Sequence, residues 1–189
     1  MDRGSLLAVL ERARDRGFLG AGEVERHLDH SLGFADVART VLGAPPARFA
    51  DLGSGGGVPA LVLAAAWPDT RAVLVESSVR RAGWLRAEAA AHLPDYREAF
   101  GLVTARSFAP PPVTAEIGAG FVAIGGIVLV SEPPAAAHRW PEEPLGQLGL
   151  DPAQFSTSGG AHYVWMRKAA PTPPDRPRKR ARAMKRPLW

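Results

Sequence analysis

The run Phe49-Ala50-Asp51-Leu52-Gly53-Ser54-Gly55-Gly56-Gly57-Val58-Pro59 joins a short apolar stretch to a glycine-rich turn and then to a helix-forming segment. Such a turn lets a ligand lie against bare backbone, because glycine has no Cβ and reaches positive φ without strain. Two spacings narrow the ligand. A dinucleotide fingerprint needs its last glycine at position 58, where Val58 stands, and a Walker loop needs a Gly-Lys-Ser or Gly-Lys-Thr ending that is absent here. Asp51, two residues before the first glycine, would repel phosphate oxygens and suits a ligand with a positive end. Downstream, 71–76 reads as a strand ending in Glu76, about where a doubly wound fold grips a ribose. Together these residues fit a cationic, ribose-bearing ligand.

The elements that must position them follow from the pattern on either side. An N-terminal helical region occupies about 1–44, with helix over 5–42 broken near 17–22 and again near Gly33, and it stops at Gly43-Ala44-Pro45-Pro46. Then come a strand over 48–52, a helix over 58–67, a strand over 72–76, a helix over 79–92 and a strand over 101–107. After Phe108-Ala109-Pro110-Pro111-Pro112 the pattern gives a helix near 114–123, a strand over 127–131 and a late strand over 162–167. Trp67 and Trp84 fall on helices and read as core residues, while the Pro- and Gly-rich 132–158 receives no assignment. This alternation predicts an α/β fold whose strands are mostly parallel and joined by right-handed crossovers, with helices on both faces.

With 189 residues, 46% of them apolar, the chain has the size of one domain with a substantial core. No cysteine is present, which excludes a disulfide, a thiolate metal site and a cysteine nucleophile. Charges interrupt the apolar cluster of 1–17, unlike a signal peptide, and no run approaches the roughly twenty apolar residues of a membrane span. A soluble cytoplasmic protein, without membrane or metal, is the expectation. The net charge of +4 conceals an asymmetry: from Arg167 onward nine Lys or Arg face the single acid Asp175, whereas acids outnumber bases before it. Residues 1–168 therefore read as one domain and 169–189 as a basic, Pro-rich tail. That tail is either solvated chain or a phosphate-contacting arm, for which RNA is the natural partner.

Several landmarks carry a family resemblance: Arg26-His27 with Ser31-Leu32, the glycine turn ending in Val58-Pro59, Thr104-Ala105-Arg106-Ser107-Phe108-Ala109, and Lys185-Arg186-Pro187-Leu188. In that order they resemble the bacterial 16S rRNA guanine-N7 methyltransferases, the RsmG or GidB family, from about residue 23 to the C-terminus. The resemblance implies a class I, Rossmann-like methyltransferase fold, S-adenosylmethionine as cofactor, and guanine N7 of 16S rRNA in the small ribosomal subunit as acceptor. It implies a monomer. It assigns Asp51, Gly53, Ser54, Gly55, Gly57 and Glu76 to the cofactor, with Glu98 as remnant of the adenine wall. Arg106 would lie between cofactor and substrate, and Lys185 and Arg186 would position the RNA or pin the tail.

The chain also departs from that pattern. The family's N-terminal Asn-Leu-Thr element has no match, His30 stands where an Asp is usual, and Ser131-Glu132-Pro133 replaces Lys-Gly. Only 94–101 separates the helix over 79–92 from the next strand, so strand three of the class I sheet reads as missing or vestigial. Guanine N7 carries no proton, so an acceptor of this kind needs no general base, and none is legible. Two alternatives remain open on sequence: a shortened RNA-binding homologue without catalysis, and a methyltransferase with a small-molecule or other RNA acceptor.

Overall fold

A computed structural model describes residues 3–20, 22–76 and 96–189. The described chain runs α1 (Arg3–Asp15), α2 (Val24–Leu42), β1 (Arg48–Leu52), α3 (Ala60–Ala66), β2 (Arg71–Val75), β3 (Phe100–Ala105), α4 (Pro111–Phe121), β4 (Val122–Glu132), a short 3-10 helix (Ala136–Arg139), α5 (Glu142–Gln147), β5 (Gln154–Ser158), β6 (Ala161–Arg167) and α6 (Arg180–Lys185). The helix expected over 79–92, Trp84 included, lies outside the described residues.

The strands form one sheet in the order β2-β1-β3-β4-β6-β5. Pairing is parallel from β2 through β4, and β6 and β5 add an antiparallel hairpin at the far edge. After β2 the chain returns to the other side of β1, so β1 and β3 flank the point where strand order reverses. The carboxyl ends of two such strands open a crevice there. Among the described residues nothing pairs with the outer edge of β2.

β1, β3 and the second half of β4 are apolar runs buried on both faces, as parallel strands between helical layers must be. On one face α4 and α5 pack a core through Val103, Val113, Ile117, Phe121, Val128 and Met166. On the other, α2 and α3 enclose Phe34, Phe49, Leu63, Leu102, Leu129 and Tyr163. α1 closes a third, smaller cluster against α2 and α3 through Leu6, Leu10, Leu28 and Val62.

Three sequence expectations need correction. Gly33 does not break α2, which runs unbroken through it. It is glycine because the Tyr163 hydroxyl occupies the space a Cβ would fill. The helix after the glycine turn starts at Ala60, two residues late, because Val58 and Pro59 still belong to the turn. The unassigned 132–158 contains α5 and the edge strand β5, which is held by antiparallel pairing with β6.

The segment after Lys168 lies along the body. Thr172 donates its hydroxyl to the carbonyl of Ala119 and its N–H to Glu98 at the amino end of the sheet, and Arg97 bonds the carbonyls of Thr172, Pro173 and Arg176. Farther on, Arg178 grips the fully buried Glu116 through the Nε–Nη2 edge of its guanidinium and its backbone N–H, at 2.6–3.1 Å. Trp189 ends the path by donating its indole N–H to the carbonyl of Arg139, beyond the carboxyl end of β4. The segment thus crosses α4 from one end of the sheet to the other.

Arg178→Ala strips buried Glu116 of its main partner, leaving only Arg176 at 3.9 Å among the described residues, and is expected to cost about 3 kcal/mol in urea unfolding. Gly33→Ala is expected to cost about 1–3 kcal/mol in the same measurement, since the clash with Tyr163 outweighs the better helix propensity of alanine.

Candidate cofactor and acceptor site

The glycine turn leaves β1 at the strand-order reversal and is stitched to the end of β2. The N–H groups of Gly53 and Ser54 both donate to the carbonyl of Val75, at 2.7 and 3.1 Å. Gly53, Gly55 and Gly57 have φ of 75°, 53° and 94°, the left-handed region that the sequence assigned to glycine. The side chain of Phe108 packs over Gly53, where a Cβ would meet Phe108 Cδ2 at 3.0 Å, so this aromatic covers the turn.

Asp51 is buried at the end of β1. Thr104 on β3 donates its hydroxyl to Asp51 Oδ1 at 2.7 Å, and Ser54 donates to the Asp51 carbonyl at 3.1 Å. Asp51 Oδ2 has no hydrogen-bond partner among the described residues. Burial pushes this carboxyl up to about 6, against the opposing hydrogen bonds of Thr104 and Ser54 and the charge of Arg106. Glu76, also buried, accepts the Gly55 N–H at 2.6 Å, which brings the second acid against the turn.

A cleft of about 340 Å³ opens beside these groups, lined by Ser54 to Gly57, Leu61, Leu74 and Glu76 on one side and by Arg12, Arg16 and Phe18 on the other. It lies near the lower bound of the roughly 300–1,000 Å³ usual for small-molecule sites. The contribution of α1 and the residues after it was not legible in sequence, where the charges of 1–17 served only to exclude a signal peptide.

Arg106 follows β3 directly, and Ser107, at φ 53°, turns the chain sharply after it. The guanidinium points back into the fold, where Nη2 donates to His27 Nδ1 at 2.7 Å while the buried Nη1 has no partner among the described residues. His30 and Tyr163 complete this wall, and Tyr163 donates its hydroxyl to the His30 carbonyl at 2.7 Å. Burial, with the charge of Arg106 behind it, holds His30 down at about 4, so it is neutral at physiological pH. His27, His30 and Tyr163 were missed as site residues because only the packing of α2 against the sheet brings them to Arg106.

Two groups of predicted site residues lie elsewhere. Glu98 is not at the cleft. It precedes β3 at the amino end of the sheet, where it accepts the Thr172 N–H at 2.6 Å and pairs with buried Lys168 at 3.3 Å. Because β3 runs parallel to β1, the segment that enters it lies at the end of the sheet opposite the glycine turn. Lys185 and Arg186 are exposed beside α6 and border a separate surface depression with Ala181 and Arg182.

Mostly parallel strands, a glycine turn at the strand-order reversal, an acid beneath it and another ending β2 define a class I methyltransferase fold. Solved structures agree on the fold. The S-adenosylhomocysteine-bound methyltransferase PaMTH1 of Podospora anserina superposes with a TM-score of 0.55 at 13% identity, covering 90% of this chain and 89% of that one. An assigned O-methyltransferase of Nostoc punctiforme superposes at 0.53 with 15% identity, covering 85% and 60%.

The family model of rRNA small subunit methyltransferase G matches residues 16–136. The ribosomal RNA small subunit methyltransferase G of Moorella thermoacetica is 31% identical over 171 residues, covering 76% of this chain and 70% of its own. That of Roseiflexus castenholzii is 30% identical over 181 residues, covering 82% and 77%. The chain belongs to the rRNA small subunit methyltransferase G family, and its cofactor is S-adenosylmethionine. The site fits that cofactor: the unpartnered Asp51 Oδ2 suits a positive end, and Gly55 and Gly57 keep the turn free of side chains. Among the described residues no group of acids and histidines is arranged to hold a metal, and no helix is long and apolar enough to cross a membrane.

Because Asp51 titrates higher when folded than unfolded, its ionisation costs stability as pH rises from about 4 through 6. Relative to Asp51→Asn, the wild type is expected to lose about 2 kcal/mol between pH 4.5 and 7.5 in urea unfolding. The contribution of His30 runs the other way, failing as pH falls below 6.5, but is common to both proteins and cancels. A difference that stays flat with pH would show that Asp51 is not desolvated.

Proposed function

We propose that this protein transfers a methyl group from S-adenosylmethionine to guanine N7 in small-subunit rRNA. The observation that carries the reading is the buried, unpartnered oxygen of Asp51 beneath a turn without side chains, with Arg106 aimed at the same reversal point from β3. Family membership supports the RNA acceptor.

When bound, S-adenosylmethionine supplies a methyl group on a positively charged sulfur, ready for attack by a lone pair. Asp51 would hold the positive end of the cofactor, and Glu76 its ribose hydroxyls. Gly53, Ser54, Gly55 and Gly57 would let it lie on the backbone. One Glu76 oxygen accepts the Gly55 N–H, and this contact fixes the carboxylate in place before any ligand arrives. Arg106 would present Nη1 to the guanine or to a flanking phosphate, a charge-assisted contact strengthened by its partly dry surroundings. No residue need remove a proton, because guanine N7 has none. Orientation of the two partners is then the main source of rate, and buried, hydrogen-bonded groups such as Asp51 and Arg106 are suited to it. Lys185 and Arg186, exposed beside α6, would meet RNA phosphates and add affinity without base specificity.

Calorimetric titration with S-adenosylhomocysteine should give micromolar binding that weakens at least tenfold in Glu76→Ala. Small subunits lacking the modification should then gain N7-methylguanine. No binding by folded protein would overturn the cofactor site. Binding without N7-methylguanine would move the acceptor elsewhere.

A further inference from the structure

We propose that His27 is a positioning residue that ties the loop over the glycine turn to Arg106, so that the cofactor and acceptor sides of the cleft become ordered together. This rests on the functional reading above.

The imidazole has one partner on each nitrogen. Arg106 Nη2 can only donate, so His27 Nδ1, 2.7 Å away, must offer a lone pair. The proton therefore sits on Nε2, which donates to the carbonyl of Gly20 at 3.2 Å. Ser31 holds the helical turn beneath by donating its hydroxyl to the His27 carbonyl at 2.7 Å. One tautomer of one buried side chain thus bridges two parts of the chain that do not otherwise hydrogen-bond to each other among the described residues.

Each end of the bridge reaches the cleft. Residues 18–20 lie directly on the glycine turn: a Cβ at Gly56 would come within 2.9 Å of the Phe18 carbonyl oxygen and 2.6 Å of Leu19 Cδ2. Phe18 also lines the cleft. At the other end, His27 is the hydrogen-bond acceptor for the Arg106 guanidinium, whose buried Nη1 stays open. The direction of Nη1 is therefore set by how Nη2 is anchored on His27. Asp51 acts on Arg106 through its charge, but neither it nor the neutral His30 and Tyr163 forms a hydrogen bond with that guanidinium. An RNA group engaging Nη1 would fix the guanidinium, hence His27, hence the cover over the turn. Coupling of this sort is reciprocal, so cofactor beneath the cover would favour the acceptor equally.

The test compares wild type, His27→Ala, His27→Gln and Arg106→Ala by amide hydrogen exchange and by calorimetry with S-adenosylhomocysteine. Glutamine keeps an acceptor and a donor placed like the two imidazole nitrogens. His27→Ala and Arg106→Ala should both speed exchange at 18–20 about fivefold or more, with exchange in β5 unchanged, and weaken S-adenosylhomocysteine binding roughly 5-fold or more. His27→Gln should restore most of both. Arg106 does not bond to residues 18–20, so if its effect on that loop runs through His27, Arg106→Ala should add no further exchange there in the His27→Ala background. Unchanged loop exchange in Arg106→Ala, or no rescue by glutamine, overturns the tie. Changed exchange with unaltered affinity overturns the coupling to cofactor. If wild type itself binds no S-adenosylhomocysteine, the functional reading fails, while the exchange data, which need no ligand, still decide whether His27 joins the two sides.

Discussion

The burial of one carboxylate governs this fold. Asp51 sits near the end of β1 at the reversal of strand order, surrounded by β3, the glycine turn and the end of β2, and among the described residues only Thr104 satisfies one of its oxygens. Leaving the other oxygen unpartnered costs stability at neutral pH, and the rest of the sheet must supply it. The apolar strands β1, β3 and β4, closed on both faces, provide that support. The result is a site held ready for positive charge, in which desolvation strengthens whatever interaction a ligand makes.

The same logic recurs on the acceptor side, with the opposite sign. Arg106 is a partly buried cation with a neutral imidazole as its hydrogen-bond partner, and its own charge helps to keep His30 neutral. His30 on α2 faces Arg106 as a neutral imidazole, and among the described residues no α2 carboxylate bonds that cation. Its field is shared with Asp51, across the reversal point.

A second buried network holds the C-terminal segment. Lys168 and Glu98 join the end of β6 to the entry of β3, Lys168 also bonds Thr172 and the Leu148 carbonyl, and Glu116 with Arg178 fastens the chain across α4. These residues stabilise rather than bind. Glu98 illustrates why sequence position misleads: two residues from a strand of the site, yet at the wrong end of the sheet.

By itself the sequence determined the class of fold, the glycine turn, the two acids and the family, because each is written locally: glycines where φ is positive, an acid at a strand end, apolar runs alternating with helical segments. It also showed the short connection before β3, from length alone. Only the tertiary structure decided what surrounds those residues. Gly33 reads as a helix breaker until Tyr163, 130 positions away, is found filling its missing Cβ. Arg178 reads as one charge in a basic run until it meets buried Glu116. Likewise His27 becomes a bridge only when α2 packs against the sheet, carrying its two nitrogens to Gly20 and Arg106 at once. Local conformational preferences are properties of neighbours in sequence, whereas burial, partnership and direction belong to contacts that form only when the whole chain closes.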